Sequence, residues 1–380
     1  MSTTSLNLLR RGLLLATVPA LLSACSLFST SKDAKPAALE SVTPAIAGKV
    51  VWQQRLDSIR FPLNTVALAD SFVVADGDGR IERLMAADGA RVWRADLKER
   101  LAAGVGSDGR YAAVVTRNNE LVSLDEGKTL WRKPLAVPIL TAPLVAGERI
   151  FVLTVDRAVL AFDAIDGRKL FEVRRPGDPL TLLQPGAISS YKDTLVVGQG
   201  SRLAGVDPLR GTIRWEANVA NPRGTNEVER LADVVGPLVR TGELLCARGF
   251  QSAVSCINAE RGSTVWTRNV GGAMGVGGDA QAVVAADASD RLTAWRTSNG
   301  DVLWNAEQFL NRKLSAPLVL GQSVVVGDFE GQVHFLNRET GKTQLRLPTD
   351  GSAIAAAPVA AGNTILVVTR NGGLFALRPQ

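Results

Sequence analysis

The sequence predicts an all-β chain folded as an eight-bladed β-propeller of four-stranded antiparallel blades, and three observations carry that prediction. A glycine followed four positions later by tryptophan recurs along the chain: Gly48–Trp52, Gly89–Trp93, Gly127–Trp131, Gly211–Trp215, Gly262–Trp266 and Gly300–Trp304. Gly167–Phe171 and Gly341–Leu345 keep the glycine and change the aromatic, which makes eight copies. From Trp52 onward the copies fall 41, 38, 40, 44, 51, 38 and 41 residues apart, and a period near forty with several short strands per unit is the signature of propeller blades. Each copy also has the same lead-in. In the stretch 317–345 a proline entry gives a short strand, Val324–Val326 an apolar run, Asp328–Gly331 a hairpin turn and Gln332–Leu336 an alternating strand. A second turn then ends on Gly341. Glycine there allows the positive φ that a tight turn needs, and the aromatic four residues on lies in the outermost strand, where it can cover the seam to the next blade.

In chain order, residues 1–24 read as an export signal. Arg10 and Arg11 form its positive region, and Gly12 to Leu22 is an apolar core too short for a spanning helix. The polar surroundings of a twin-arginine signal are missing, so ordinary secretion is expected. Leu22-Ser23-Ala24-Cys25 resembles the lipobox of bacterial lipoproteins, in which the leader is cut before the cysteine and that residue is acylated on sulfur and on its new amine. The resemblance makes Cys25 the lipidation residue. Three chains anchor stably, since each buried CH₂ contributes ~0.8 kcal/mol and a single chain is marginal. Ser26 is not the aspartate that retains lipoproteins at the inner membrane, which implies the outer membrane and a periplasm-facing body. Residues 25–47, rich in Ser, Ala, Pro and charge, read as a lipidated flexible tether.

The propeller is expected over 48–380. Gly48 to Leu56 carries a motif without preceding strands, and Ala355 to Leu377 holds three strands without a fourth. Pairing the orphan with the incomplete blade closes the ring and removes its open edge. Seven blades with a separate N-terminal hairpin is the alternative. The two longest repeats place extra residues at 176–188 and 219–236, each between the last strand of one blade and the first of the next. They therefore emerge side by side on one face, and long connections in a compact fold are commonly functional. The first shows Leu180, Leu182 and Leu183 as a contact surface, unless these tuck into the blade below. The second mixes Arg223, Glu227, Glu229, Arg230 and Asp233, as a contact or as a solvated loop.

Composition narrows the function classes. Hydrophobic residues are 46% and charged residues 21% of the 380, a globular composition. Removing the leader leaves 41 basic against 37 acidic residues, net +4, without a basic and aromatic cluster, so nucleic acid is not an expected partner. Catalytic devices are sparse. The one histidine, His334, lies in a predicted strand and reads as a buried or stacking residue rather than a general base. No cluster has metal-ligand spacing. Asp76, Asp78, Asp163 and Asp328 recur with the repeat and read as turn formers. Cys246 and Cys256 face each other across a predicted hairpin, as a disulfide or as two buried thiols. No metal or cofactor is expected.

The repeats resemble those of the pyrroloquinoline-quinone dehydrogenases, eight-bladed enzymes with the same glycine-to-tryptophan motif. Those enzymes are longer, place adjacent cysteines above the quinone and bind calcium through acidic and amide side chains, none of which is recognisable here. A short quinoprotein or a small-ligand-binding periplasmic propeller is the alternative reading. A lipobox followed by eight such blades resembles the BamB family, the propeller lipoproteins of the β-barrel assembly machinery of the Gram-negative outer membrane. The likeness covers Cys25 to Gln380 and is strengthened by Arg230 to Val234 (RLADV) and by Ser315 to Asn337. It implies a non-enzymatic scaffold that binds the periplasmic domains of the central barrel subunit, with unfolded outer-membrane chains as candidate clients. Two loops make that contact in the family. One carries Leu-x-Leu-Arg, matched here by Leu180 and Leu182 with Leu183 in place of arginine. The other carries Arg-Leu-x-Asp-x-Asp, matched by Arg230 and Asp233 with Val235 in place of the second aspartate. The resemblance thus implies partner-binding at Leu180, Leu182, Leu183, Arg230 and Asp233, in a contact more apolar than is usual for the family.

Overall fold

The computed structural model describes residues 34–175, 180–222 and 224–379. The predicted leader and Cys25 lie outside them. The chain divides at Pro36; residues 34–36 carry no regular structure, and the second unit begins at Ala37.

Eight four-stranded antiparallel sheets follow one another as blades. They span 66–96, 106–134, 144–173, 188–218, 234–268, 277–306 and 318–348, and the eighth combines 359–379 with Gly48–Arg55. That first strand pairs with Gly373–Pro379 from Gly48 opposite Pro379 to Arg55 opposite Gly373. The expected closure is therefore present, and the seven-blade alternative is not. Innermost strands of neighbouring blades pack side by side, including 66–67 of blade 1 against 359–361 of blade 8. Second strands such as Ser71–Ala75, Tyr111–Val115 and Ser323–Gly327 are buried throughout. Both their faces are covered by neighbouring blades, which is why they read as unbroken runs of small and β-branched residues rather than as alternation.

The repeated motif is two halves of one joint. In each outer strand the pairing slips by one residue just before the aromatic, at Val92, Leu130 and Val265 for example. All eight blades carry this bulge. A bulge inserts one residue and re-aims its neighbours; here it turns the aromatic into the seam. The aromatic then lies on the motif glycine of the next blade. A Cβ at Gly89 would sit 2.9 Å from the Trp52 ring, at Gly300 2.7 Å from Trp266, at Gly341 2.5 Å from Trp304 and at Gly48 2.5 Å from Leu345. Four indoles also donate to a turn carbonyl of that next blade: Trp52 to Ala86 (3.0 Å), Trp131 to Ala164 (2.9 Å), Trp266 to Thr297 (2.8 Å) and Trp304 to Arg338 (2.6 Å). Trp93 is buried with its Nε1 unpartnered. The turn it faces, between Asp125 and Lys128, is two residues long, against five between Met85 and Arg91, and has no such carbonyl to offer.

The recurrent acids do form turns. Asp76 Oδ1 accepts the amides of Asp78 and Arg80 (3.1 and 2.9 Å), Asp163 Oδ1 those of Ile165 and Asp166 (2.9 and 3.2 Å), and Asp328 Oδ1 those of Glu330 and Gln332 (both 2.9 Å). Cys246 and Cys256 stand opposite each other in blade 5 and form a disulfide. His334 is fully buried, with its ring 4.5 Å from that of Phe309.

One expectation changes. The stretch expected to be free tether is bound to the body from Ala37 onward. Ala37 N donates to Leu310 O and Ala45 N to Gln344 O, both at 2.8 Å. Leu39 packs against the cluster containing Trp304, Phe309 and Leu314, and Ile46 against that containing Leu345. Composition alone reads such a segment as linker because its hold is mostly backbone.

Candidate functional site

The two long connectors meet on the face that also carries the turns between second and third strands. What joins them is Arg157, in that turn of blade 3. Its Nη2 donates to Leu180 O (3.0 Å) and to Asp233 Oδ1 (2.8 Å), while Asp233 Oδ2 accepts the Leu182 amide (2.9 Å). One carboxylate, one guanidinium and two backbone groups thus brace 180–182 against 233. Both charged side chains are only 17% exposed, and a charge-assisted bond so shielded is among the stronger ones. Further ties support the brace. Gly186 bridges Val235, and the Gly186 amide donates to Thr141 Oγ1 (2.8 Å). The Asp233 carbonyl accepts the Phe250 amide (2.9 Å), and the Val234 amide donates to Gly200 O (2.8 Å). At the root of the first connector Arg174 bonds Asp156 (2.6 Å) and Glu172 (2.7 Å), and Arg175 pairs with Glu216. Burial pushes Asp156 up, but the Thr154 hydroxyl and Arg174 outweigh it and hold the carboxyl below its usual value.

The structure separates the candidate residues. Leu180 and Leu182 are half-buried, whereas Leu183 is 81% exposed. Leu182 lines a pocket with Leu140, Leu153, Arg157 and Val234 that encloses about 40 Å³, room for water and not for a cofactor. Asp233 points inward as the strut of the brace. Val235 is buried at 3% exposure, so an apolar residue suits the place where the family pattern has its second aspartate. Arg230 is exposed on a short turn, and Val228 beside it is 69% exposed. That turn is capped from within: Asn226 Oδ1 accepts the Glu229 amide (2.9 Å), and Glu229 Oε2 accepts the Thr225 amide (2.8 Å). The Thr225 amide is the main cause holding the Glu229 carboxyl below its usual value. Pro176 to Pro179 and Arg223 lie outside the described residues. The outward set is therefore Leu183, Val228 and Arg230, with Leu180, Leu182 and Asp233 beneath it.

Arg157 was not among the sequence candidates, yet it left a signal. Its φ is +66° at a turn position filled by Gly79, Asn119, Asp290, Gly331 and Gly372 in other blades, all with positive φ. A bulky side chain in the left-handed region costs free energy, and such residues persist where surrounding contacts over-determine them.

A closed eight-bladed ring with aromatic-on-glycine seams, and with two cross-braced connectors presented on one face, defines a propeller of the quinoprotein type that offers a surface of loops. The family model described as outer membrane protein assembly factor BamB matches residues 77–306 and 307–380. The chain belongs to the BamB family. It is 34% identical to the BamB of Burkholderia pseudomallei over 99% of this chain and 100% of that one, and 32% identical to that of Bordetella pertussis over 97% of each. Among solved structures, the crystal structure of BamB from Moraxella catarrhalis matches with TM-score 0.79 and 22% identity, covering 87% of this chain and all of that one. Quinohemoprotein alcohol dehydrogenase from Comamonas testosteroni matches with TM-score 0.66 and 13% identity, covering 87% of this chain and 76% of that one, a likeness of fold alone.

Proposed function

We propose that this chain is a non-enzymatic scaffold of the outer-membrane β-barrel assembly machinery, anchored through a lipidated Cys25 and facing the periplasm. Its relatives carry the name of assembly factors, and the chain matches them end to end. On this reading the braced connectors bind the periplasmic domains of the central barrel subunit and assist the insertion of β-barrel proteins into the outer membrane. The observation that carries it is the brace. Arg157 and Asp233 hold two loops from different inter-blade connections in one fixed arrangement, and preorganised loops lose little freedom on binding. Leu183 supplies the apolar anchor, Val228 extends it and Arg230 supplies the charge; a few such residues commonly dominate an interface. Leu180 and Leu182 shape the surface from below.

The test is co-purification from outer membranes in mild detergent. The wild-type chain is expected to bring down a large barrel protein, and Leu183→Asp combined with Arg230→Ala is expected to reduce recovery about ten-fold or more. Both side chains are exposed, so the variant keeps its fold. Undiminished recovery would remove these loops as the docking surface, and a lone monomer from wild type would overturn the scaffold reading.

A further inference from the structure

The N-terminal segment lies along the outer strand of blade 7, Thr343–Pro348, and two arginines reach it. Arg312 Nη1 donates to Ala37 O (3.0 Å) and Arg346 Nη1 to Glu40 O (2.8 Å). Both guanidinium groups run back to the same buried imidazole cluster. Arg312 Nε donates to Asp328 Oδ2 (2.8 Å), and its Nη2 pairs with Glu330. Arg346 Nε donates to His334 Nδ1 (3.2 Å), while His334 Nε2 lies 3.1 Å from the same Asp328 oxygen. An imidazole nitrogen that accepts carries no proton, so His334 is neutral and donates from Nε2 to the carboxylate.

We propose that residues 37–46 form a releasable strap, latched to blade 7 by Arg312 and Arg346, and that protonation of His334 releases it. The added proton has only Nδ1 to go to. That places N–H against N–H where Arg346 now donates, and it sets three cations against the two carboxylates of Asp328 and Glu330. Arg346 is the most exposed of the three and can swing out, and with it the hold on Glu40 is lost. Burial lowers the histidine's pKa, as do Arg346 and Arg312, against the opposing pull of Asp328. The imidazole sits inside blade 7 whether or not the strap is docked, so its burial favours neither state; only Arg346, against the ring in the docked state and away from it in the open one, makes the docked state bind fewer protons here. The latch is therefore complete at and above the ordinary histidine value of about 6.5 and weakens at lower pH, where the buried ring takes up its proton. The strap meets the arginines through the carbonyls of Ala37 and Glu40, and its one carboxylate, that of Glu40, belongs to an exposed residue. Asp290 accepts the amides of Lys313 and Leu314 (2.7 and 3.0 Å) in the same connector, and burial pushes it up, so it is the competing titratable group. Release frees the ten residues 37–46. At roughly 3.3–3.6 Å each, that lengthens the chain between body and anchor by up to about 36 Å. This consequence rests on the proposed anchor, whereas the latch does not.

The experiment is hydrogen exchange at the Ala37 and Ala45 amides in the full chain at about pH 7.5 and about pH 5, with labelling times scaled for the intrinsic pH dependence of exchange. Wild type is expected to lose protection by about ten-fold or more at the lower pH, the factor that one charge-assisted hydrogen bond supplies. His334→Gln, whose amide both accepts and donates, is expected to stay protected at both. Arg346→Gln leaves the buried cluster in place and is expected to be unprotected at both. Equal wild-type protection at the two pH values would overturn the proposal. So would an unchanged pH response in His334→Gln, which would assign the effect to Asp290. Wild-type protection in Arg346→Gln would do the same, and it decides the matter if the buried substitution does not fold. None of these readings depends on the lipid anchor or on a partner.

Discussion

At the scale of single residues, a seam glycine does two separable jobs, and a glycine in a turn away from the seams, between Val359–Ala361 and Thr364–Val368, does only one of them. Gly341 has φ +70° and a Cβ there would stand 2.5 Å from the Trp304 ring; Gly362 has φ +56° with nothing within 4 Å. Gly362→Ala therefore pays for backbone strain alone, about 1 kcal/mol. Gly341→Ala pays the same and also pushes an indole out of its seat, for a total of about 3 kcal/mol. Urea unfolding of the two variants would read the difference directly. If the two midpoints move equally, the aromatic-on-glycine contact does not hold the seams. Such pairings explain why the motif keeps its glycine even where the aromatic has become Phe171 or Leu345.

At the scale of elements, the connectors behave as one unit because a third element ties them. Asp233→Ala should free both: the Leu182 amide loses its acceptor, and Arg157 keeps the Leu180 carbonyl but loses the carboxylate that ties it to the second connector. Faster exchange through 180–183 and a loss of barrel-protein recovery close to that of Leu183→Asp are expected, although Asp233 faces inward. Normal recovery with fast exchange would show that the brace is not needed for docking. This is also where the reading from sequence stops. Blade number and ring closure were legible because the repeated phrase spells out both partners of the seam contact, 41 or so residues apart. The position of the two connectors was legible from spacing. Which leucine faces water was not, because Arg157 acts from a turn distant in sequence and fixes the connector through a carbonyl. The strap was illegible for the same reason. Leu39 and Ile46 are its only apolar anchors, and the remaining contacts run through backbone groups that every residue possesses.

At the scale of the whole molecule, stability is tied to closure. Blade 8 borrows Gly48–Arg55, and that strand also carries Gly48, which seats Leu345 of blade 7, and Trp52, which seats on Gly89 of blade 1. Removing these eight residues exposes the Gly373–Pro379 edge and empties both seats at once. The expected result is a chain that aggregates and no longer melts in a single transition, measured by sedimentation and calorimetry. A monomer with an unchanged single melt would mean that the ring does not depend on its clasp. Closure has a further consequence in time. The strand that completes the last blade is made before the seven other blades, and its partner after them. From its emergence until that partner arrives it remains an unpaired strand bearing Val50, Val51 and Trp52, able to pair with whatever edge it meets first. A protein built this way must spend its biogenesis with one hand open, and its yield should depend on how well that waiting strand is shielded.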